Sequence, residues 1–230
     1  MSTPLSQPAV LDPMTAFPDG DPSRRFRVWA TVILGTLGSA LLAVSSIVKP
    51  DIHGSDADVV PKLTAAADQV LAGQLVAAFG SLLLVLFVVG TWRLDTRKGS
   101  VLRLVGGTIA TLGLVSNALG EIADGYAAWG SAQGHVSTAT EIRMLDSLDS
   151  LPAGLPIAWF AVPVAVTGVL ILAIGVLRAS AVVPVWAPVV VILGAVLSAV
   201  FTSGPLSLLG LVTAVGVGAT LVYIARAIRS

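Results

Sequence analysis

"SLLLVLFVVG", residues 81–90, decides the fold. Ten residues pass with no charge and no alternation of apolar and polar positions. A strand of a membrane barrel alternates, because one face meets lipid and the other the lumen. A continuous apolar run in lipid must instead satisfy its own backbone hydrogen bonds, which a helix does. The run extends on both sides, to about 71–92, long enough at 1.5 Å per residue to cross a hydrocarbon layer of about 30 Å.

Five more runs of this kind lie along the chain, at about 28–48, 102–121, 157–177, 182–201 and 206–224. The expected fold is therefore all-α, a six-transmembrane-helix bundle over residues 24–230. Composition agrees. Of 230 residues, 55% are hydrophobic and 11% charged, where a soluble domain carries about a quarter charged. Mean hydropathy is +0.92. Residues 1–23 carry Pro4, Pro8, Pro13, Pro18 and Pro22 among Ser, Asp and Gly. They cannot bury enough apolar surface to offset ordering, and are expected to form a disordered cytoplasmic tail.

Lys and Arg set the orientation. Ten fall on one side: Arg24, Arg25, Arg27, Arg93, Arg97, Lys98, Arg103, Arg178, Arg226 and Arg229. Three, Lys49, Lys62 and Arg143, fall on the other. The majority marks the cytoplasm, so both termini are expected there, in a bacterial cytoplasmic membrane. Asp51, Asp56, Asp58, Asp68, Glu121, Asp124, Glu141, Asp146 and Asp149 make the outer face acidic.

Glycines recur at sevens: Gly73 and Gly80, then Gly106, Gly113 and Gly120, then Gly168 and Gly175, with Ala161 a further seven before Gly168. Seven residues are nearly two turns, so each set forms a small-residue seam. The reading is left-handed close packing among the second, third and fourth spans. "LLLVLFVVGTWR" (82–93) also resembles "TGVLILAIGVLR" (167–178), each ending G-x-x-R, as a duplicated hairpin would.

The candidate site is a polar patch. Asn117, Glu121 and Asp124 share about 60° of one helix face, at 100° per residue. Two readings stand: a polar vestibule in the bundle, or a helix that ends near Gly120 and leaves Glu121 and Asp124 in water beside Tyr126 and Trp129. Asn117 lies deeper and is expected to bond to another helix. Ser39, Ser45, Thr111 and Ser198 read as ordinary glue between helices.

The outer connections hold less. "KPDIHGSDAD" (49–58) offers Asp51, His53, Asp56 and Asp58, with His135 elsewhere, but not at EF-hand spacing. "PKLTAAADQVLAGQ" (61–74) reads as a helix entering the membrane. "TATEIRMLDSLDSL" (138–151) places Met144, Leu145, Leu148 and Leu151 opposite Asp146 and Asp149, a short amphipathic helix in the second outer loop.

There is no Cys, which excludes thiol catalysis, disulfides and thiolate-bound metals. No ionisable residue lies near the centre of a span, and no nucleotide, zinc-protease or serine-hydrolase motif is present. No catalytic residue, cofactor or metal is expected. The expected partners are the lipid bilayer and a membrane-protein partner or second copy, with no nucleic acid.

Three stretches carry a resemblance: "LTAAADQVLAGQLVAAFGSLLLV" (63–85), "GTWRLDTRKGSVLRLVGG" (90–107) and "LGLVSNALGEIADGYAAW" (112–129). Together they resemble six-helix bacterial integral membrane proteins of unknown function. That resemblance implies the fold and no activity. The expected role is a non-catalytic structural or accessory bundle. The alternatives are a small permease or channel with an acidic outer vestibule, and a membrane-embedded enzyme using Glu121, Asp124 and His135.

Overall fold

A computed structural model describes residues 22–50, 56–134, 137, 139–140, 143, 157–200 and 205–228. Among these the chain is all-helical, without strands. The helices are α1 (Pro22–Val48), α2 (Asp56–Ala65), α3 (Ala67–Trp92), α4 (Ser100–Ala132), α5 (Ile157–Leu177), α6 (Trp186–Val200) and α7 (Leu211–Ala227). A 3₁₀ turn, Pro205–Gly210, leads into α7. Four stretches, Ser23–Val48, Ala67–Trp92, Ser100–Ala132 and Leu208–Ala227, are long and apolar enough to cross a membrane. Ala161–Leu177 and Trp186–Ser198 are apolar but shorter. The Pro-rich segment up to residue 21 and most of the expected 138–151 helix lie outside the described residues.

Several boundaries move for identifiable reasons. The helix expected over 61–74 starts earlier and is two helices, broken at Ala66 (φ −108°, ψ 22°). The fifth run begins at Trp186 rather than 182, because Pro184 disfavours helix in the residue before it. Pro188 then sits in the first turn of α6, where its missing N–H costs nothing. The largest change is in α4. It does not end near Gly120 but runs 33 residues to Ala132, about 50 Å at 1.5 Å per residue. Its termination signal is Gly134, at φ +74° just beyond Gln133, the usual left-handed position after a helix. The added turns are supported by packing. Gly125 lies against Leu71 and Gln74 of α3, and Ala128 is buried.

Consecutive long helices form three antiparallel hairpins, and small residues seal each. In α1/α3, a Cβ on Gly38 would come within 2.8 Å of Gly80 O and Leu84 N, and one on Gly73 within 2.7 Å of Lys49 Cγ. In α4/α5, Arg103, Gly106, Ala110 and Gly113 face Gly175, Leu172, Gly168 and Ala165. In α6/α7, Gly194 faces Thr213, and Gly216 faces Val191. The α4 positions advance by three, four and three residues, the stepping of a heptad seam. With no hydrophobic drive between helices in lipid, this closeness supplies the packing energy.

The seam expected to join the second, third and fourth spans is thus divided. Gly73 and Gly80 of α3 face α1, not α4, while Gly106, Gly113, Gly168 and Gly175 do join α4 to α5. Gly120 is only partly buried. The two glycines of the G-x-x-R pair also differ: Gly90 lies against Thr31 and Leu221, and Gly175 against Arg103.

The hairpins close into a ring, with α3 against α4, α5 against α6, and α7 against α1. Of these, the α5/α6 junction is the least extensive. Arg24, at the start of α1, donates to the Ile228 carbonyl at the end of α7. Near this end of the ring Trp186 and Tyr223 meet edge to face at 6.2 Å, with Arg226 5.8 Å over the Tyr223 ring. Arg103 is buried and donates to the carbonyls of Leu94, Thr96 and Lys98 and to Thr96 Oγ1. It thereby folds the α3–α4 turn around one guanidinium.

Candidate functional site: a chamber within the ring

A cavity of about 320 Å³ lies inside the ring, and all six long helices line it. Its polar groups gather toward the acidic end. There Lys49 Nζ donates to Glu121 Oε2 at 2.6 Å, joining the end of α1 to α4. The Lys49 side chain is 30% exposed and the Glu121 side chain 19%. Gly73 makes room for the Lys49 stem, and Gln69 Nε2 donates to the Val48 carbonyl beside it at 2.8 Å.

One turn deeper, Asn117 Nδ2 donates to Ser81 Oγ at 3.0 Å. This is the interhelical bond expected of Asn117. Deeper still the wall turns apolar, with Leu84, Phe87, Leu114, Val191 and Val217. From Lys49 to Ser39 at the end of α1, or Ala77 to Phe87 along α3, the lining spans ten residue steps, about 15 Å of helix. Below it, fully buried Val88, Val176, Val183 and Leu221 close the bundle.

Three hydroxyls on the wall are turned to their own helices, while Ser81 Oγ accepts from Asn117 and Thr213 Oγ1 is buried without a hydrogen-bond partner. Ser39 donates to the Thr36 carbonyl (3.0 Å), Ser45 to Leu42 (2.7 Å) and Ser198 to Gly194 (2.9 Å). Each has spent its proton and keeps oxygen lone pairs. These serines were expected to act as glue between helices. They line the chamber instead and bond within their own helices.

Of the expected patch, Asn117 and Glu121 line the chamber and Asp124 does not. Asp124 is exposed, one turn beyond the rim, yet near enough for its charge to act on Glu121. Glu121 is not a solvated helix end, since α4 continues 11 residues past it. Lys49 and Ser81 are site residues that the sequence did not single out. Lys49 had one signal, as a lone cation at the acidic end of an apolar run.

Most of the metal-capable residues fall outside what the structure describes. Asp51, His53 and His135 lie outside the described residues, Asp56 begins α2, and Asp58 is exposed. Among the described residues no group of three or more His, Cys, Asp or Glu could hold a metal ion.

No protein-family model, curated protein or solved structure matches the chain. Its reading rests on its own residues.

Proposed function

We propose that the protein is a six-span integral membrane protein, with both termini cytoplasmic, that binds a small molecule from the outer side without catalysis. The carrying observation is the chamber: six helices line it, and a Lys49–Glu121 pair stands at its mouth.

The Lys and Arg asymmetry supports the orientation, and depth supports the span. Exposed Trp29, Trp92 and Trp186 and the Tyr223 ring mark one level, as aromatic side chains do at a headgroup boundary. Twenty residues from Trp29 to Lys49 cover about 30 Å, the thickness of the hydrocarbon layer. Lys49 and Glu121 then sit at the outer boundary, and the apolar floor near the midplane. α5 and α6 complete the six spans, their apolar surfaces facing lipid at Ile174 and Leu193.

Of the roles expected from sequence, the chamber favours the permease-like one over the accessory bundle. The floor makes it a closed-ended vestibule rather than an open channel. Glu121 is committed to Lys49, and Asp124 does not line the chamber, so no carboxylate pair meets there to do acid–base work.

Cysteine labelling tests this against a native chain with no Cys. Asn117→Cys should react with a membrane-impermeant methanethiosulfonate added outside. Val88→Cys, below the floor, and Leu119→Cys, 64% exposed on the lipid side, should not. An Asn117→Cys that stays unreactive while Tyr126→Cys labels would close the chamber to the outside and return the protein to the accessory role.

A further inference from the structure

We infer that the chamber takes an uncharged single-chain amphiphile of the outer leaflet, whose chain reaches it sideways between α5 and α6. This rests on the chamber being a binding site, as proposed above.

The α5/α6 junction is where the ring is thinnest. It lies between two hairpins and has no small-residue seal. The atoms nearest Gly168 and Gly175 of α5 belong to α4, and those nearest Gly194 of α6 belong to α7. Near the α5–α6 turn Val176, Val183 and Ala187 are buried. Toward the other end two side chains mark an opening among the described residues. Val162 of α5 lines the chamber yet is 46% exposed, and Ser198 of α6 lines it and is exposed too. Behind them the wall is apolar, with Val166, Val169 and Val191.

Depth decides what the opening meets. The residues from Trp186 to Ser198 cover about 18 Å of a hydrocarbon layer about 30 Å thick. Ser198 thus lies in the outer half of that layer, among lipid chains rather than water.

The wall also selects against charge. Lys49 and Glu121 are the ionisable side chains that line the chamber, and they hold each other. What remains is mixed. Ser81 keeps its own proton, and Asn117 keeps a second N–H and Oδ1. Thr213 Oγ1, against Gly194, has no hydrogen-bond partner and can donate or accept. Ser39 and Ser45 offer lone pairs. A hydroxyl head finds both kinds of partner here. A charged head would have to split the ion pair or be buried without a counter-charge, which is costly.

Length separates an open chamber from a sealed one. A cavity of about 150 Å³ holds a benzene ring, so one of about 320 Å³ holds about a dozen heavy atoms. A longer chain fits only if its remainder leaves between α5 and α6.

The experiment places the full chain in phosphatidylcholine vesicles and photolabels it with hexadecan-1-ol carrying a mid-chain diazirine. Mass spectrometry reads the labelled residues. Label is expected on Val166, Val169 and Val191. Unlabelled hexadecan-1-ol should displace it, and hexadecane-1-sulfonate and hexadecyltrimethylammonium should do so about tenfold less well. Val162→Trp combined with Ser198→Trp should remove the label, while Asn117→Cys in that background still reacts with the external methanethiosulfonate. If a charged chain displaces best, the inference is overturned. If a six-carbon diazirine alcohol labels these valines and the hexadecanol does not, the chamber is sealed toward lipid and the inference falls. Label confined to lipid-facing Ile174 and Leu193, with no displacement, also sinks it. In that case a reactive Asn117→Cys leaves the chamber reading standing, and an unreactive one takes it down as well.

Discussion

Gly168→Ala should destabilise the folded protein by about 3 kcal/mol, at the upper end of what overpacking usually costs. The sign is the informative part. In a helix interior alanine is normally better than glycine by about 1 kcal/mol. Here a Cβ on Gly168 would sit 2.1 Å from the backbone nitrogen of Ala110 and 2.5 Å from its Cα. These are main-chain atoms of a neighbouring helix and cannot rotate away. Relief requires α5 to move off α4, which also loosens Gly113 against Ala165 and Gly106 against Leu172. Gly130→Ala is the control, since a Cβ there meets nothing within 4 Å, and it should leave stability unchanged or slightly higher. The thermal midpoint of the purified protein, followed by loss of the monodisperse peak, separates the two. A Gly168→Ala protein as stable as the parent would mean that the α4/α5 seam is not close-packed.

Arg103→Met should cost a similar amount by a different route. The guanidinium holds three carbonyls and a hydroxyl of the α3–α4 turn. Methionine keeps most of the length and the apolar contact but leaves those acceptors unmatched, at about 1–3 kcal/mol for each that stays buried. The Leu94 carbonyl is the deepest of them. We expect a loss of about 3 kcal/mol, since the remaining carbonyls reach water once the turn opens. Arg97 and Lys98 are already exposed, and opening frees the backbone around them to fit a protease, so tryptic cleavage between α3 and α4 should quicken markedly. Arg103→Lys should recover only part of the protection, because one ammonium cannot reproduce a planar fork of five donors. Unchanged cleavage in Arg103→Met would show that the turn holds without the guanidinium.

How much of this was legible in the sequence depends on the range of the interaction. The helices were legible because lipid leaves an apolar backbone no other choice, as residues 81–90 show. Glycine spacing was legible too, but spacing does not name a neighbour. The same seven-residue interval that seats Gly113 on α5 seats Gly80 on α1. The length of α4 was not legible, because acids after an apolar run look like arrival in water. What carries the helix through Glu121 is Lys49, 72 residues away in sequence, together with α3 packing on Gly125. Arg103 was read as a charge that sets orientation. Its capture by the turn depends on the backbone path of Leu94 to Lys98 and leaves no mark in composition. Of the patch, Asn117 and Glu121 line the chamber and Asp124 lies one turn too far, and the sequence left open whether the three faced a vestibule or water. Lys49 and the serines escaped because the chamber exists only once six helices have closed around it.

That each hairpin carries its own seal bears on how the protein is made. With six spans as proposed, a nascent chain that has delivered α1 and α3 to the bilayer already owns a complete glycine interface, and so does the next pair. Each hairpin can settle as it arrives, without waiting for distant sequence. The α7–α1 contact cannot, since it joins the two ends of the chain through Arg24 and the Ile228 carbonyl. Until the last hairpin enters, the protein is an open arc, and its polar wall of Ser39, Ser45, Ser81 and Asn117 lies bare to lipid. Closure of the ring is therefore the step that ends this exposure, and a chain stopped after Leu177 would hold two sealed hairpins around half a chamber.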